Sequence, residues 1–452
     1  MVMMKSSILS LLTTLLLCSS STNAIDLDID SLESIQHATG LLATGLMDYY
    51  WGYDYGGTVG MFTNPYYWWE AGGAWGSMLD HWYYLQNDTY ADVIFTAMQA
   101  QVGDDWDYIP LNQSTTEGND DQAFWGIAAI QAAERNFTNP SSDEPQWLYL
   151  AQAVFNTMAW RWDTEHCGGG LRWQIFQYNS GYDYKNTVSN AGLFHIGARL
   201  ARFTGNDSYV DWAEEIYDWL LGVNFITEGE WYFAYDGANI DDNCSSVTKL
   251  QWTYNAGMMV SGCAYLYNYT EDEIWLTRTE GYVKGISVFF NDSVLYEAAC
   301  QASESCNNDQ RSFKAYMSRF LGLTSVLAPT TYDTIRPWIE KSAKAAAQSC
   351  VGGYDGHTCG MNWFYNGWDG YYGLGEEMSA LEIIQNLLAK DRPAPYTATN
   401  GGSSSGDGAA GSPTVIAYDQ LLTLDGGDKA GAAIITIVIG VSIVAFGSWL
   451  VI

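Results

Sequence analysis

Asp121-Gln122-Ala123-Phe124-Trp125-Gly126-Ile127-Ala128-Ala129-Ile130-Gln131-Ala132-Ala133 carries no charge after its first residue and offers almost no polar face. A helix with this composition is stable only when surrounded by protein. The next periodic segment, Gln146–Trp162, is amphipathic, with one polar face. The same alternation extends in both directions along the chain. Segments rich in Gly, Ala and aromatics cover Trp69–Tyr83, Asp121–Ala133, Ser189–Phe203, Tyr254–Tyr267, Phe313–Leu327 and Gly375–Ala389. Between them lie polar-faced segments at Asp30–Tyr50, Tyr90–Gln101, Gln146–Trp162, Tyr209–Val223, Glu271–Phe289 and Tyr332–Cys350. In the fourth of these, Tyr209, Trp212, Ile216, Trp219 and Leu220 fall on one helical face. Buried and polar-faced helices recurring at intervals of about 50–70 residues describe a repeat architecture. The pattern predicts an all-α (α/α)6 toroid, with the buried set as inner ring and the polar-faced set outside. An open α-solenoid would not explain why the loops feeding the inner helices hold most of the Trp, Asn and Asp residues.

Composition narrows the function. The 452 residues include 19 Lys+Arg against 52 Asp+Glu, a formal net charge of −33. Such a surface repels phosphate backbones, which excludes nucleic acid as a partner. Hydrophobic residues make up 48% of the chain, so it can build a large core. The 20 Trp and 32 Tyr exceed ordinary usage; most must pack the core, and the remainder supply flat faces that stack on sugar rings.

The entrances to the inner helices hold the candidate chemistry. Gly118-Asn119-Asp120-Asp121-Gln122 opens the second, placing two adjacent carboxylates at a helix start inside an apolar ring. Burial and mutual repulsion are expected to raise one pKa while the helix N-terminus favours the other as an anion. Retaining sugar transfer needs carboxyls ~5–5.5 Å apart and inversion ~6.5–9.5 Å, and neighbouring residues fit the shorter separation. The competing reading is helix capping, for which Asp and Asn are routine; Asp104-Asp105 and Asp241-Asp242 are also pairs but do not open an inner helix. Trp69, Glu70, Asn119, Trp125, Trp173, Lys185, Asn186, Asn190, Tyr254, Asn255 and Lys314, at or near the inner-helix entrances, are candidate substrate-binding residues. Asn and Lys bond hydroxyls, and Trp and Tyr stack. Gly168-Gly169-Gly170 lacks the Lys-Ser/Thr of a phosphate loop. His195 sits in an apolar helix and reads as a core histidine. With no C-x-x-C or HExxH, no metal site and no cofactor are expected.

The two ends set the expected compartment. Residues 1–24 read as a signal peptide, with Lys5 before the apolar Ile8–Cys18 and Thr22-Asn23-Ala24 as cleavage site. Residues 25–389 form the expected toroid, 390–425 a Gly/Ser/Pro-containing linker, and 426–452 a GPI-attachment propeptide ending in an uncharged apolar run. Asp425 is the expected lipidated residue, although the spacer Asp428-Lys429 is short. Sequons at Asn87, Asn112, Asn136, Asn206, Asn243, Asn268 and Asn291 agree with a secretory route. Among the cysteines, the close pairs Cys300/Cys306 and Cys350/Cys359 read as loop clips, Cys244/Cys263 as a third pair, and Cys167 as left over.

Tyr67-Trp68-Trp69-Glu70-Ala71-Gly72, Gly118-Asn119-Asp120-Asp121-Gln122, Gly169-Gly170-Leu171-Arg172-Trp173-Gln174, Lys185-Asn186-Thr187 with Ser189-Asn190, and Trp252-Thr253-Tyr254-Asn255 together resemble glycoside hydrolase family 76. Within that family the layout is similar to the fungal GPI-anchored mannan endo-1,6-α-mannosidase-like proteins, from about Ile25 to Ala389. The resemblance implies an (α/α)6 barrel and retaining attack on α-1,6-mannosidic bonds, with Asp120 as nucleophile and Asp121 as general acid/base. It also implies a role in cell-wall assembly, by cutting α-1,6-mannan or a GPI-core glycan and passing the product to a β-glucan acceptor. The chain is expected to act as a monomer held to the membrane by its GPI anchor. Two other readings stay open: a non-catalytic mannan-binding wall protein, and a structural adhesin, which the lack of a long Ser/Thr-rich stalk disfavours.

Overall fold

The computed structural model describes residues 24–113, 115–411 and 426–451. Almost all of the expected signal peptide, and Asp425, lie outside them. Twelve helices alternate between an outer and an inner position. They are outer α1 (Leu32–Met47) and inner α2 (Trp68–Leu85), outer α3 (Ala91–Ala100) and inner α4 (Asn119–Glu134), outer α5 (Trp147–Trp160) and inner α6 (Thr187–Thr204). The second half repeats the order with outer α7 (Ser208–Gly222) and inner α8 (Thr253–Thr270), outer α9 (Glu273–Gly285) and inner α10 (Asn308–Leu327), outer α11 (Tyr332–Ser349) and inner α12 (Leu374–Gln385). Each inner helix packs on the next, and α12 packs on α2, which closes the ring. That closure bears out the (α/α)6 toroid and excludes the open solenoid.

Composition explains the ring. From Gln122 to Glu134, every residue of α4 is buried. A Cβ on Gly72, Gly73 or Gly76 of α2 would strike Trp125, Tyr316 or Arg319, so these glycines are sockets for side chains from α4 and α10. Towards the C-terminal halves of the inner helices, buried ion pairs cross between neighbours. Arg135 pairs with Asp80 at 3.0 Å, Arg199 with Glu134 at 2.5 Å and Arg319 with Glu382 at 2.6 Å. Arg319 also lies 3.7 Å from Asp80, so these groups link neighbouring inner helices in a shared network.

Among the described residues, three two-stranded ribbons decorate the loops. β1 (Tyr184–Asn186) pairs with β4 (Gly237–Asn239), β2 (Ile226–Thr227) with β3 (Phe233–Ala234), and β5 (Phe290–Asn291) with β6 (Val294–Leu295).

Some details depart from expectation. α10 begins at Asn308, not Phe313, because Asn307 and Gln310 cap it reciprocally and make its first turn polar. Cys300–Cys306 and Cys350–Cys359 are disulfides, but the third is Cys167–Cys244. Cys263 lies buried on inner helix α8 as a free thiol, facing core rather than the loops where its supposed partner lies. The segment 393–411 is not a free linker. Tyr396 N–H donates to Glu134 O at 2.8 Å and Ala398 N–H to Phe203 O at 2.9 Å, across the ends of α4 and α6. It then climbs α5, where Ser404 Oγ accepts from Leu148 N–H at 2.9 Å and Asn156 Nδ2 donates to Ala410 O at 2.7 Å. The apolar tail forms α13 (Gly426–Val451), on which Ile434, Ile435 and Ile437 are exposed.

Candidate active site

All six inner helices start at one mouth of the toroid. There a cleft of about 540 Å³ opens, lined by Tyr67, Trp68 and Trp69 of the α2 entrance, Glu117, Asp120, Asp121 and Phe124 at the α4 entrance, and Asn307, Asp309, Gln310 and Phe313 at the α10 entrance. Trp173, Gln174, Asp236, Trp252 and Tyr254 complete it with Gln113 and Thr116.

The carboxylate pair is set by the start of α4. Asp121 Oδ2 accepts the Gly118 N–H at 2.7 Å, reaching back to cap its own helix, and Asp120 Oδ1 accepts the Asp121 N–H at 3.0 Å. Asn119 holds the turn in place, its N–H donating to Trp173 O at 2.8 Å and its Nδ2 to Arg172 O at 2.9 Å. Both aspartates stay half-buried, open to the cleft. Burial raises both carboxyls. The neighbouring Asp121 charge pushes Asp120 up further, and Asp121 itself is raised to about 7, with Asp309 adding to the effect of burial. The expectation of one raised and one ordinary carboxyl is corrected here, because burial outweighs the helix N-terminus for both. Ionising one of two adjacent carboxyls opposes ionisation of the other, so the pair gives up its two protons in separate steps.

Flat aromatic faces and oriented carboxylates surround the pair. Tyr254 and Phe313 stack with centroids 3.9 Å apart, and Phe124 lies parallel to Tyr254. Trp69 Nε1 donates to Asp309 Oδ1 at 3.2 Å. Asp236 accepts from Trp252 Nε1 at 2.8 Å and from the Tyr184 hydroxyl at 2.6 Å. Glu117 is buried beside Asp121, with neither carboxyl oxygen bonded to a donor among the described residues. Burial, with Asp121 and Asp107 adding, pushes its pKa well up. No Lys or Arg is among the lining residues. Such a cleft suits a neutral or cationic polyhydroxylated ligand.

Of the expected site residues, Trp69, Asp120, Asp121, Trp173 and Tyr254 line the cleft. The others do not, and most have structural partners instead. Glu70 is buried and caps α2 through the Tyr67 N–H. Trp125 is core, stacked between Trp68 and Tyr108. Lys185 donates to the carbonyls of Asp163, His166 and Gly169, folding that loop. Asn186 caps α6, and Asn190 Oδ1 accepts the Leu171 N–H. Asn255 is buried on the first turn of α8, outside the lining set, and its amide has no partner among the described residues. Lys314 is buried, donates to Met361 O and lies 4.0 Å from the Trp363 ring centroid, which anchors the loop before α12. Asn119, likewise, positions the pair without lining the cleft.

Sequence reading missed Glu117, Asp236, Asn307, Asp309 and Gln310. A signal existed for three of them: Asn307-Asn308-Asp309-Gln310 repeats Asn119-Asp120-Asp121-Gln122 almost letter for letter at another inner-helix start. Asp236 lies in an irregular loop between β3 and β4, where no periodicity could mark it.

Comparison with known proteins agrees with this geometry. The profile of Glycosyl hydrolase family 76 matches residues 34–399. The chain is 65% identical over 430 residues to mannan endo-1,6-alpha-mannosidase DCW1 of Saccharomyces cerevisiae, covering 95% of this chain and 96% of that protein. To mannan endo-1,6-alpha-mannosidase DFG5 of the same yeast it is 56% identical, covering 96% and 95%. Dfg5 from Chaetomium thermophilum, solved in complex with glucosamine, superposes with a TM-score of 0.82 at 41% identity, over 85% of this chain and 97% of that one. The α-1,6-mannanase GH76A of Salegentibacter sp. HEL1_6 shares the fold, with a TM-score of 0.63 at 16% identity over 78% and 98%.

Proposed function

The chain belongs to glycosyl hydrolase family 76, and from that premise we propose that it is a retaining glycosidase or transglycosidase acting on α-1,6-mannosidic linkages of mannan or of a GPI-anchor glycan in fungal cell-wall assembly. The observation that carries the proposal is the Asp120–Asp121 pair at the start of an inner helix, open to an aromatic-walled cleft. Asp120 attacks the anomeric carbon as Asp121 gives its proton to the departing glycosidic oxygen, leaving a glycosyl ester on Asp120. Asp121, now a carboxylate, takes a proton from the incoming hydroxyl as that oxygen displaces the ester. The cycle needs one proton on the pair at the outset, carried by Asp121. Positive charge developing on the sugar ring beside Asp120 favours its carboxylate form, and so moves the proton to Asp121.

The lining also bears on the substrate. Asp120, Asp121, Glu117, Asp236 and Asp309 face the cleft without a Lys or Arg among them. A GPI core carries a free amino sugar, whose ammonium such a site would attract. The glucosamine bound by the Chaetomium thermophilum relative supports this choice of substrate. We further propose entry through the secretory route, GPI attachment at Asp425, residence at the outer face of the plasma membrane or in the wall, and β-glucan as acceptor. The exposed sequon asparagines at 112, 136, 206, 243, 268 and 291, with Asn87 half-buried, are compatible with glycosylation.

The test uses the secreted portion, residues 25–411, with α-1,6-mannose oligosaccharides or a GPI-core glycan, with and without β-glucan. Products are followed by mass and anomeric NMR. Retained α-products that vanish in Asp120→Asn are expected, with a loss on the order of 10³-fold or more. A glucan-linked product would make it a transglycosidase. Tight binding with no turnover on any substrate would leave the mannan-binding reading in its place.

A further inference from the structure

On the outer wall, α9 and α11 flank a second groove of about 460 Å³, and none of its lining residues lines the catalytic cleft. Two tryptophans border it. Trp231, in the β2–β3 turn, stands 44% exposed and has no hydrogen-bond or ring partner among the described residues. Trp338, on α11, is half-buried and stacks on Phe290 with centroids 4.4 Å apart and planes 13° from parallel.

The position of Trp231 is built in. Gly281 and Gly285 lie one turn apart on α9, and the turn carrying Trp231 lies against them. A Cβ on Gly281 would come within 2.6 Å of the Tyr232 ring, and one on Gly285 within 1.8 Å of the Tyr232 carbonyl oxygen. Tyr232 N–H also points to Gly281 O, at 3.4 Å. These two glycines let the ribbon sit flat on α9 and hold the next indole out over the groove.

Between the rings the lining is hydroxyl- and carboxylate-bearing. Thr330 Oγ1 donates to Glu280 Oε1 at 2.9 Å, orienting that carboxylate, and Glu230, Lys284 and Ser287 line the same groove. An indole beside an oriented carboxylate is also how the catalytic cleft is made, where Trp69 meets Asp309 and Trp252 meets Asp236. Charge selects the occupant. Two carboxylates against one ammonium, on a chain of net charge −33, disfavour anionic lipid or nucleic acid. A hexose supplies an apolar C–H face for each ring and hydroxyl donors for Glu230 and Glu280.

We propose that this groove is a second carbohydrate-binding site, separate from the catalytic cleft, that holds a neutral hexose polymer on the outer wall of the barrel. It would keep the enzyme on a polysaccharide while the cleft works on a separate chain.

The test is affinity electrophoresis of the intact, detergent-solubilised protein through gels containing α-mannan or β-1,3-glucan. All samples carry Asp120→Asn so that the polymer is not cut. The expected result is retardation by one or both polymers, with affinity falling on the order of tenfold in Trp231→Ala and largely restored in Trp231→Tyr. In separate assays with Asp120 intact, turnover of a short α-1,6-mannoside should be the same with and without Trp231→Ala, which separates this site from the catalytic reading. Which gel retards the protein identifies the polymer. Equal retardation of parent and Trp231→Ala overturns the proposal. So does an absence of retardation in both gels, or binding only to anionic vesicles.

Discussion

Asp120 depends on the residue two places before it. A Cβ at position 118 would come within 2.3 Å of Asp120 Oδ1 and 3.0 Å of Trp173 O. Gly118 therefore leaves the space in which the carboxylate lies, although its own φ of −94° asks for no glycine. Gly118→Ala should cost no more than about 1 kcal/mol of stability, the usual scale for a helix cap. It should lower kcat/KM on the order of 10²-fold, because displacing a reacting group by about 1 Å does so. Steady-state kinetics beside thermal melts would check both; an unimpaired rate would show that the carboxylate has room to spare. The site motif itself was legible in the sequence, as was its place at an inner-helix start. What could not be read was which polar neighbours turn inward. Lys185 and Asn190 look like ligands by type and spacing, yet their donors are spent on loop carbonyls.

At the scale of elements, the segment after α12 differs most from its sequence reading. Low aromatic content with Pro, Thr, Gly and Ser reads as a linker, but residues 393–411 form a strap over α4, α6 and α5. Gly406 and Gly411 allow it to lie close, since a Cβ at either would strike Gln152 or Ala153. A chain ending after Asp391 loses four of these hydrogen bonds, worth about 2–6 kcal/mol together. Urea unfolding of that chain against one ending after Gly411 should show a clearly lower midpoint. Coincident curves would return the segment to linker status. Small residues lack the bulk that marks a core position, so composition alone cannot separate a strap from a tether.

Across the whole molecule, buried carboxyls dominate the response to pH. Burial pushes Glu297 and Glu377 up to about 8, Glu376 to about 7 and Asp107 to about 6. Each binds its proton more tightly when folded than unfolded. Its stabilising contribution is complete below the unfolded carboxyl range and is lost as pH rises through the folded value. Lys185 and Lys314, lowered to about 8 by burial, have the opposite sign and act between about 8 and their ordinary range. Buried His81, lowered to about 4, and His195, lowered well below its ordinary value by burial, oppose them below the ordinary imidazole range, but the raised carboxyls outnumber them and set the slope between about pH 4.5 and 8. A net charge of −33 adds self-repulsion of the same sign. Thermal melts should give the highest Tm near pH 5 and a steady fall towards pH 8; a Tm rising over that span would contradict the burial of these groups.

The sequence by itself determined the alternation of buried and polar-faced helices, hence the toroid, because a helix without a polar face has only an interior to occupy. It also determined the aspartate pair and its place at a helix start, since both are local in the chain. Tertiary structure decided what depends on residues far apart in sequence. It closed the ring through α12 on α2, paired Cys167 with Cys244, and brought Asp236 and Asp309 to the cleft. It also turned seven of the expected site residues into caps, core and loop anchors, for a physical reason: a buried polar side chain takes the nearest unpaired backbone group as its partner, and which group is nearest is settled only when the helices pack.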